Sequence, residues 1–91
     1  SGTEAYVYAL DSSAGELATD IVQSLSDATG LRNRGVFARP SLYVLRRTAM
    51  PAVLVEMGFI TNPGDAALMN ENPQLFARGI YNGILRYLNL A

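Results

Sequence analysis

The run Pro51-Ala52-Val53-Leu54-Val55-Glu56-Met57-Gly58-Phe59 constrains this chain more than any other stretch. Its small and branched residues, Ala52 to Val55, show no polar alternation. That pattern predicts a strand covered on both faces, like the central strand of a parallel sheet. Glu56 ends the run. An unpaired charge in a dry core is costly. In open α/β sheets, ligands bind at the carboxyl ends of the strands. Glu56 is therefore either a buried, paired structural acid or the working carboxylate of a site.

The chain has 91 residues, enough for one small domain and no second one. A chain this size buries somewhat over ~60% of its unfolded surface, so it can fold alone but without much margin. Net charge is −1, which argues against a dedicated nucleic-acid binder. There is no Cys, hence no disulfide framework and no thiolate chemistry. There is no His, which removes the commonest general base and the commonest zinc ligand. No stretch reaches the ~18 apolar residues of a membrane helix, so no membrane insertion is expected. No signal segment starts at Ser1, and the chain reads as mature or cut from something longer.

All seven basic residues are Arg. Arg32, Arg34, Arg39, Arg46 and Arg47 crowd together, with no acid between Asp27 and Glu56. One reading is a solvated loop balancing the acidic helix before it. The other is a patch for carboxylates or phosphates, which the planar guanidinium fork suits.

Thr3 to Leu10 reads as a strand, with aromatic and β-branched content. Ser13-Ala14-Gly15-Glu16 has capping-box spacing. Ala14, Leu17, Ala18, Ile21, Val22 and Leu25 then recur at helical period, and Gly30 supplies a stop. A helix over 13–29 follows. Val36 to Ala38 is a short strand that Pro40 demotes from a central position. Leu42 to Arg46 reads as a strand with Arg46 and Arg47 at its exit, and Met50-Pro51 turns into the Glu56 strand. Asn62 caps a short helix, with Pro63 at its first position and Asp65 in its first turn. Asn72-Pro73 opens a last helix to about Asn89, with Phe76, Ile80, Ile84, Tyr87 and Leu88 on one face. Gly79 and Gly83 on that helix imply close packing against the sheet. Tyr6, Tyr8 and Tyr43 read as sheet-packing residues rather than saccharide platforms. The order predicts an α/β fold of at least three strands and two covering helices, with one sheet face or edge thinly covered.

Several stretches together resemble one family. Ser1-Gly2-Thr3-Glu4-Ala5-Tyr6 resembles the "GTE-aromatic" strand of the zinc-dependent N-acetylmuramoyl-L-alanine amidases that cut bacterial cell wall. Leu31-Arg32-Asn33-Arg34-Gly35-Val36 is similar to their "GL-x-x-RG" loop. Leu42 to Arg46 and the block from Met50 to Asn62 resemble their most recognisable segment, and Asp65-Ala66-Ala67-Leu68 also fits. The resemblance covers nearly the whole chain.

It implies a mixed sheet flanked by helices, with this chain as the C-terminal half of a larger three-layer domain. In the family, a His, a Glu and a second His upstream of the GTE strand bind one zinc ion. The resemblance thus implies zinc in the complete domain, none bound by these residues alone, and an isolated chain without activity. It assigns the catalytic carboxylate of the "VE-x-GF" block to Glu56. Zinc turns its bound water toward hydroxide near neutral pH. A carboxylate beside that water takes its proton and delivers it to the leaving amine. The substrate implied is peptidoglycan, cut between N-acetylmuramic acid and L-alanine. The implied partner is the N-terminal half of the domain, and the implied location is extracellular, in the cell wall or periplasm.

Arg46 is the candidate for binding the carboxylates of the peptide stem. This needs its strand to run parallel to that of Glu56. The short Arg47–Met50 connection favours antiparallel neighbours, which would put Arg46 at the far end. Two other readings stand beside the amidase. One is a non-catalytic peptidoglycan-binding or protein-interaction module using the Arg cluster. The other is a phosphate-binding α/β domain, which no glycine-rich phosphate loop supports.

Overall fold

The structure, a computed structural model, describes residues 1–46 and 50–90. Arg47, expected at a strand exit, lies outside the described residues. Seven elements run in the order β1 (Thr3–Val7), α1 (Ser13–Thr29), β2 (Asn33–Ala38), α2 (Tyr43–Arg46), β3 (Leu54–Glu56), α3 (Pro63–Glu71) and α4 (Pro73–Tyr87).

The sheet has strand order β2-β1-β3. β1 and β2 are parallel, as a strand–helix–strand crossover requires. β3 pairs antiparallel with β1, matching Glu4 with Glu56, Ala5 with Val55 and Tyr6 with Leu54. The mixed sheet is as expected, but the centre is not. β1, not the Glu56 strand, is buried at every position, while Leu54 and Glu56 are exposed. Among the described residues β3 is an edge strand with one paired neighbour.

Alternation along β1 explains the layers. Ala5 and Val7 point to α1 and form a fully buried cluster with Ala18 and Val22. Glu4 and Tyr6 point the other way. The Cα envelope measures 35 × 31 × 17 Å, the thickness of one sheet and one helical layer. α4 lies alongside α1 in that layer. A Cβ on Gly79 would stand 2.7 Å from Leu25 Cα, and one on Gly83 2.5 Å from Ile21 Cα. The two glycines thus admit the neighbouring helix, not the sheet as the sequence suggested. Ile84 and Leu88, expected on the buried face, are 39% and 53% exposed.

The helix ends follow local chemistry. Ser12, one residue before the predicted capping box, accepts from Gly15 N at 3.1 Å. Gly30 closes α1 in the left-handed conformation, φ 77°. Asn62 Oδ1 accepts from Asp65 N at 2.9 Å, with Pro63 at the first helical position. The segment 42–46 is not a strand. Arg46 N donates to Leu42 O at 3.1 Å, and the segment makes one helical turn that buries only Leu45. Among the described residues no strand pairs with this segment, and its aromatic and β-branched content alone does not hold it extended.

Candidate active site around Glu56

The face of the sheet away from α1 carries the candidate site residues. Glu4 and Glu56 are directly opposed across β1 and β3, which puts both side chains on that face. Their surroundings differ. Glu4 is 5% exposed. Its Oε1 accepts from Arg34 Nε at 2.8 Å, and its Oε2 accepts from the Tyr6 hydroxyl. Glu56 is exposed, and its carboxylate has no hydrogen bond or ion pair among the described residues. Its backbone is fixed, because its carbonyl accepts from Thr3 Oγ1 at 3.1 Å.

Side chains roof the inner part of this face. The Arg39 guanidinium lies 4.4 Å from the Tyr6 ring centroid, and the Arg34 guanidinium 4.9 Å from that of Phe59. Phe37 tilts against Tyr6 with centroids 5.9 Å apart. The Tyr6 hydroxyl, followed by Arg34, holds the Glu4 carboxyl below its ordinary range despite the opposing effect of burial. The hydrogen bond to Glu4, burial and the charges of Glu4 and Glu56 push the Tyr6 hydroxyl up, against Arg39.

Asp65 sets the loop that follows Glu56. It is 1% exposed. Its Oδ2 accepts from Phe59 N and Gly2 N, both at 3.0 Å, and its Oδ1 accepts from Ser1 Oγ at 2.8 Å. Burial pushes this carboxyl up, but the Phe59, Ser1 and Gly2 donors outweigh it and the net direction is down. One acid thereby ties the start of β1 to the exit of β3.

Arg46 is not brought to this place. Leu54 faces Tyr6 and Glu56 faces Glu4, so β3 enters beside the far end of β1. Arg46 lines a cavity of about 360 Å³ there, with Tyr8, Ala9, Ser12, Leu45, Met50 and Ala52. The antiparallel pairing separates it from Glu56. The arginine that does reach the site is Arg34.

Residues 1–86 match the Amidase_3 family, N-acetylmuramoyl-L-alanine amidase. The chain belongs to this amidase family. Among its relatives, the N-acetylmuramoyl-L-alanine amidase CwlM of Bacillus licheniformis is 36% identical over 93 residues, covering 99% of this chain and 36% of that protein. An uncharacterised Clostridium perfringens protein is 42% identical over 84 residues, covering 91% of this chain and 25% of its own. The catalytic domain of CwlV, an N-acetylmuramoyl-L-alanine amidase of Paenibacillus polymyxa, superposes with TM-score 0.81 at 37% identity, over 99% of this chain and 50% of that one. The Clostridioides difficile amidase CwlD, solved with the GerS lipoprotein, superposes with TM-score 0.88 at 28% identity, over 99% and 47%. The chain thus spans about half of these solved amidase structures, and less of the curated relatives.

The amidase resemblance read from the sequence is therefore the family itself, and the mixed sheet flanked by helices is part of a larger amidase fold. The side chains that commonly hold zinc are sparse in these residues. The chain has no His or Cys, and no group of three ligating side chains occurs among the described residues. Glu4 and Asp65 have both carboxylate oxygens engaged by protein donors. Sequence reasoning missed the roles of Glu4, Tyr6 and Arg34. The i, i+2 spacing of Glu4 and Tyr6 on a strand was the available signal, since it places both on one face.

Proposed function

We propose that residues 1–91 form the C-terminal half of an amidase catalytic domain that hydrolyses the bond between N-acetylmuramic acid and L-alanine in peptidoglycan. Glu56 is its proton-handling carboxylate. The observation that carries this is the contrast on the open sheet face: Glu4 has both oxygens occupied, while Glu56 is exposed with none engaged. A general base needs a free oxygen within reach of the water it deprotonates. In the proposed reaction, water oxygen attacks the lactyl carbonyl carbon as Glu56 takes a water proton. The C–N bond then breaks, and Glu56 returns that proton to the amine of L-alanine. The products are a lactyl carboxylic acid and a free peptide amine.

The zinc that this family implies is assigned to ligands from the rest of the domain, and none of it to this chain. The unpaired outer side of β3, together with Phe37 of β2 and Leu54 of β3 exposed on the open sheet, supports a fold completed by the other half. The protein acts on the cell wall, outside the cytoplasm. Arg46, at the far end of β1, could touch only a remote part of the polymer.

The test is Glu56→Gln in the complete domain, which keeps size and shape. Turnover should fall by about 10²-fold or more, with fold and metal content unchanged. Near-normal turnover would remove Glu56 from the mechanism.

A further inference from the structure

Three irregularities of the backbone converge on Arg34. The β1–β2 register shifts between Thr3, which faces Asn33, and Glu4, which faces Gly35, so Arg34 is the extra residue of a bulge. Bulges re-aim side chains, and this one turns Arg34 onto the face of Glu4. Gly35, next in the chain, has φ +102°, a conformation that side chains disfavour. Gly2 has φ +125°, and a Cβ there would lie 2.8 Å from both Cγ and Cδ of Arg34 and 2.7 Å from Arg32 O. The stem of Arg34 thus runs through space that only glycine leaves open.

The ion pair itself does not account for this construction. The Arg34 side chain is 34% exposed. The Glu4 side chain is 7% exposed, and solvent at the arginine end screens the pair. What the construction achieves is orientation. Nε is held by Glu4, and the guanidinium plane is steadied over Phe59. The Nη groups donate to no side chain or carbonyl among the described residues. A guanidinium has five N–H donors, and this arrangement uses the one that does not belong to its outward fork.

We propose that Arg34, seated by Glu4, recognises a carboxylate on the peptide that the Glu56 site cleaves. This rests on the amidase reading of Glu56. A carboxylate fits better than a phosphate. Glu4 and Glu56 already place two anions on this face against Arg34 and Arg39, and a dianion would meet Glu56 as a like charge. A planar monoanion matches the two Nη groups. Glu4 is then a positioning residue, acting through Arg34, and Tyr6 fixes its second oxygen.

The test uses the complete catalytic domain and two muropeptides that differ only in the α-carboxyl of the second stem residue, free or amidated. The readout is the ratio of kcat/KM for the free form to that for the amide. Arg34→Lys keeps the charge but loses the fork. It should lower the ratio by about tenfold, through KM for the free form. Glu4→Gln frees the fork to wander and should lower the ratio in the same direction by less. Equal losses on both substrates in both variants would mean a structural role and would overturn the proposal, as would an unmoved ratio. Glu56→Gln, run alongside, separates the two claims. If it is inactive and the ratio is unmoved, only the Arg34 proposal fails. If it turns over normally, both fail.

Discussion

Replacing Gly83 with alanine sets two known effects against each other, and the structure decides the sign. Alanine in a helix interior is favoured over glycine by about 1 kcal/mol. Against this, the new Cβ would stand 2.5 Å from Ile21 Cα, 2.9 Å from Ile21 N and 3.0 Å from Asp20 O. Carbon atoms pack best about 3.5–4.0 Å apart, so α1 and α4 must separate by roughly 1 Å. All three clashing atoms are backbone, so no rotamer change relieves them. Separation loosens a contact that buries Ile21, Leu25 and Phe76. Overpacking of this kind costs about 1–3 kcal/mol, occasionally more, and the helix gain offsets only part of it. Because every contact is with backbone, the cost falls in the upper half of that range, about 2–3 kcal/mol, and the net loss is about 1–2 kcal/mol, or roughly 2–8 °C in Tm for a domain of 150–250 residues. Thermal unfolding of the complete domain measures it. Adding Ile21→Ala should not rescue the variant, because the clash is with the main chain of Ile21 and not its side chain. A Tm equal to or above wild type, or rescue by Ile21→Ala, would refute the backbone-contact argument.

Two further outcomes follow from the carboxylates and from the strand direction. Glu4 and Asp65 are held below their ordinary acidity range in the folded state. Each therefore adds stability that is present above its unfolded pKa and lost as pH falls through the folded value. Unfolding free energy should decline as pH drops below the ordinary carboxylate range, and Glu4→Gln and Asp65→Asn should each flatten that decline in denaturant titrations. An unchanged slope in both would contradict the hydrogen-bond assignment. Arg46→Ala should leave the free-to-amidated substrate ratio unchanged, because β3 carries Glu56 away from it; a shift matching that of Arg34→Lys would reverse the order of the two arginines.

Elements governed by local chemistry were legible in the sequence. The periodic stripe of α1, the Gly30 stop, the Asn62-Pro63 start and the Pro40 bar against a central β2 depend on neighbours a few residues away. What was not legible depends on distant parts of the chain. Leu42 to Arg46 has strand composition, but it lies where no strand receives it and turns as α2. The both-sided burial assigned to the Glu56 run belongs to β1, whose polar Glu4 and Tyr6 disguised it. Glu56 drew attention by its misfit at the end of an apolar run. Glu4 gave no such signal, because a Glu two residues before a Tyr is ordinary on a half-exposed strand. Its meaning comes from Arg34, which lies 30 residues away in sequence.

Two glutamates directly opposite one another on an antiparallel pair would repel and weaken the sheet. The structure removes the conflict on one side only. Arg34 and the Tyr6 hydroxyl each engage one oxygen of Glu4 and stabilise its charge, so Glu4 is a held anion that resists protonation. Its partner keeps both oxygens open at the strand end. The roles therefore cannot be exchanged. On the proposed reading, proton handling on this face is the part of Glu56, and orienting the nearby cation is the part of Glu4. A Glu4→Gln variant tests this division of labour, since it should disturb substrate discrimination more than the proton-transfer step, while Glu56→Gln should do the reverse.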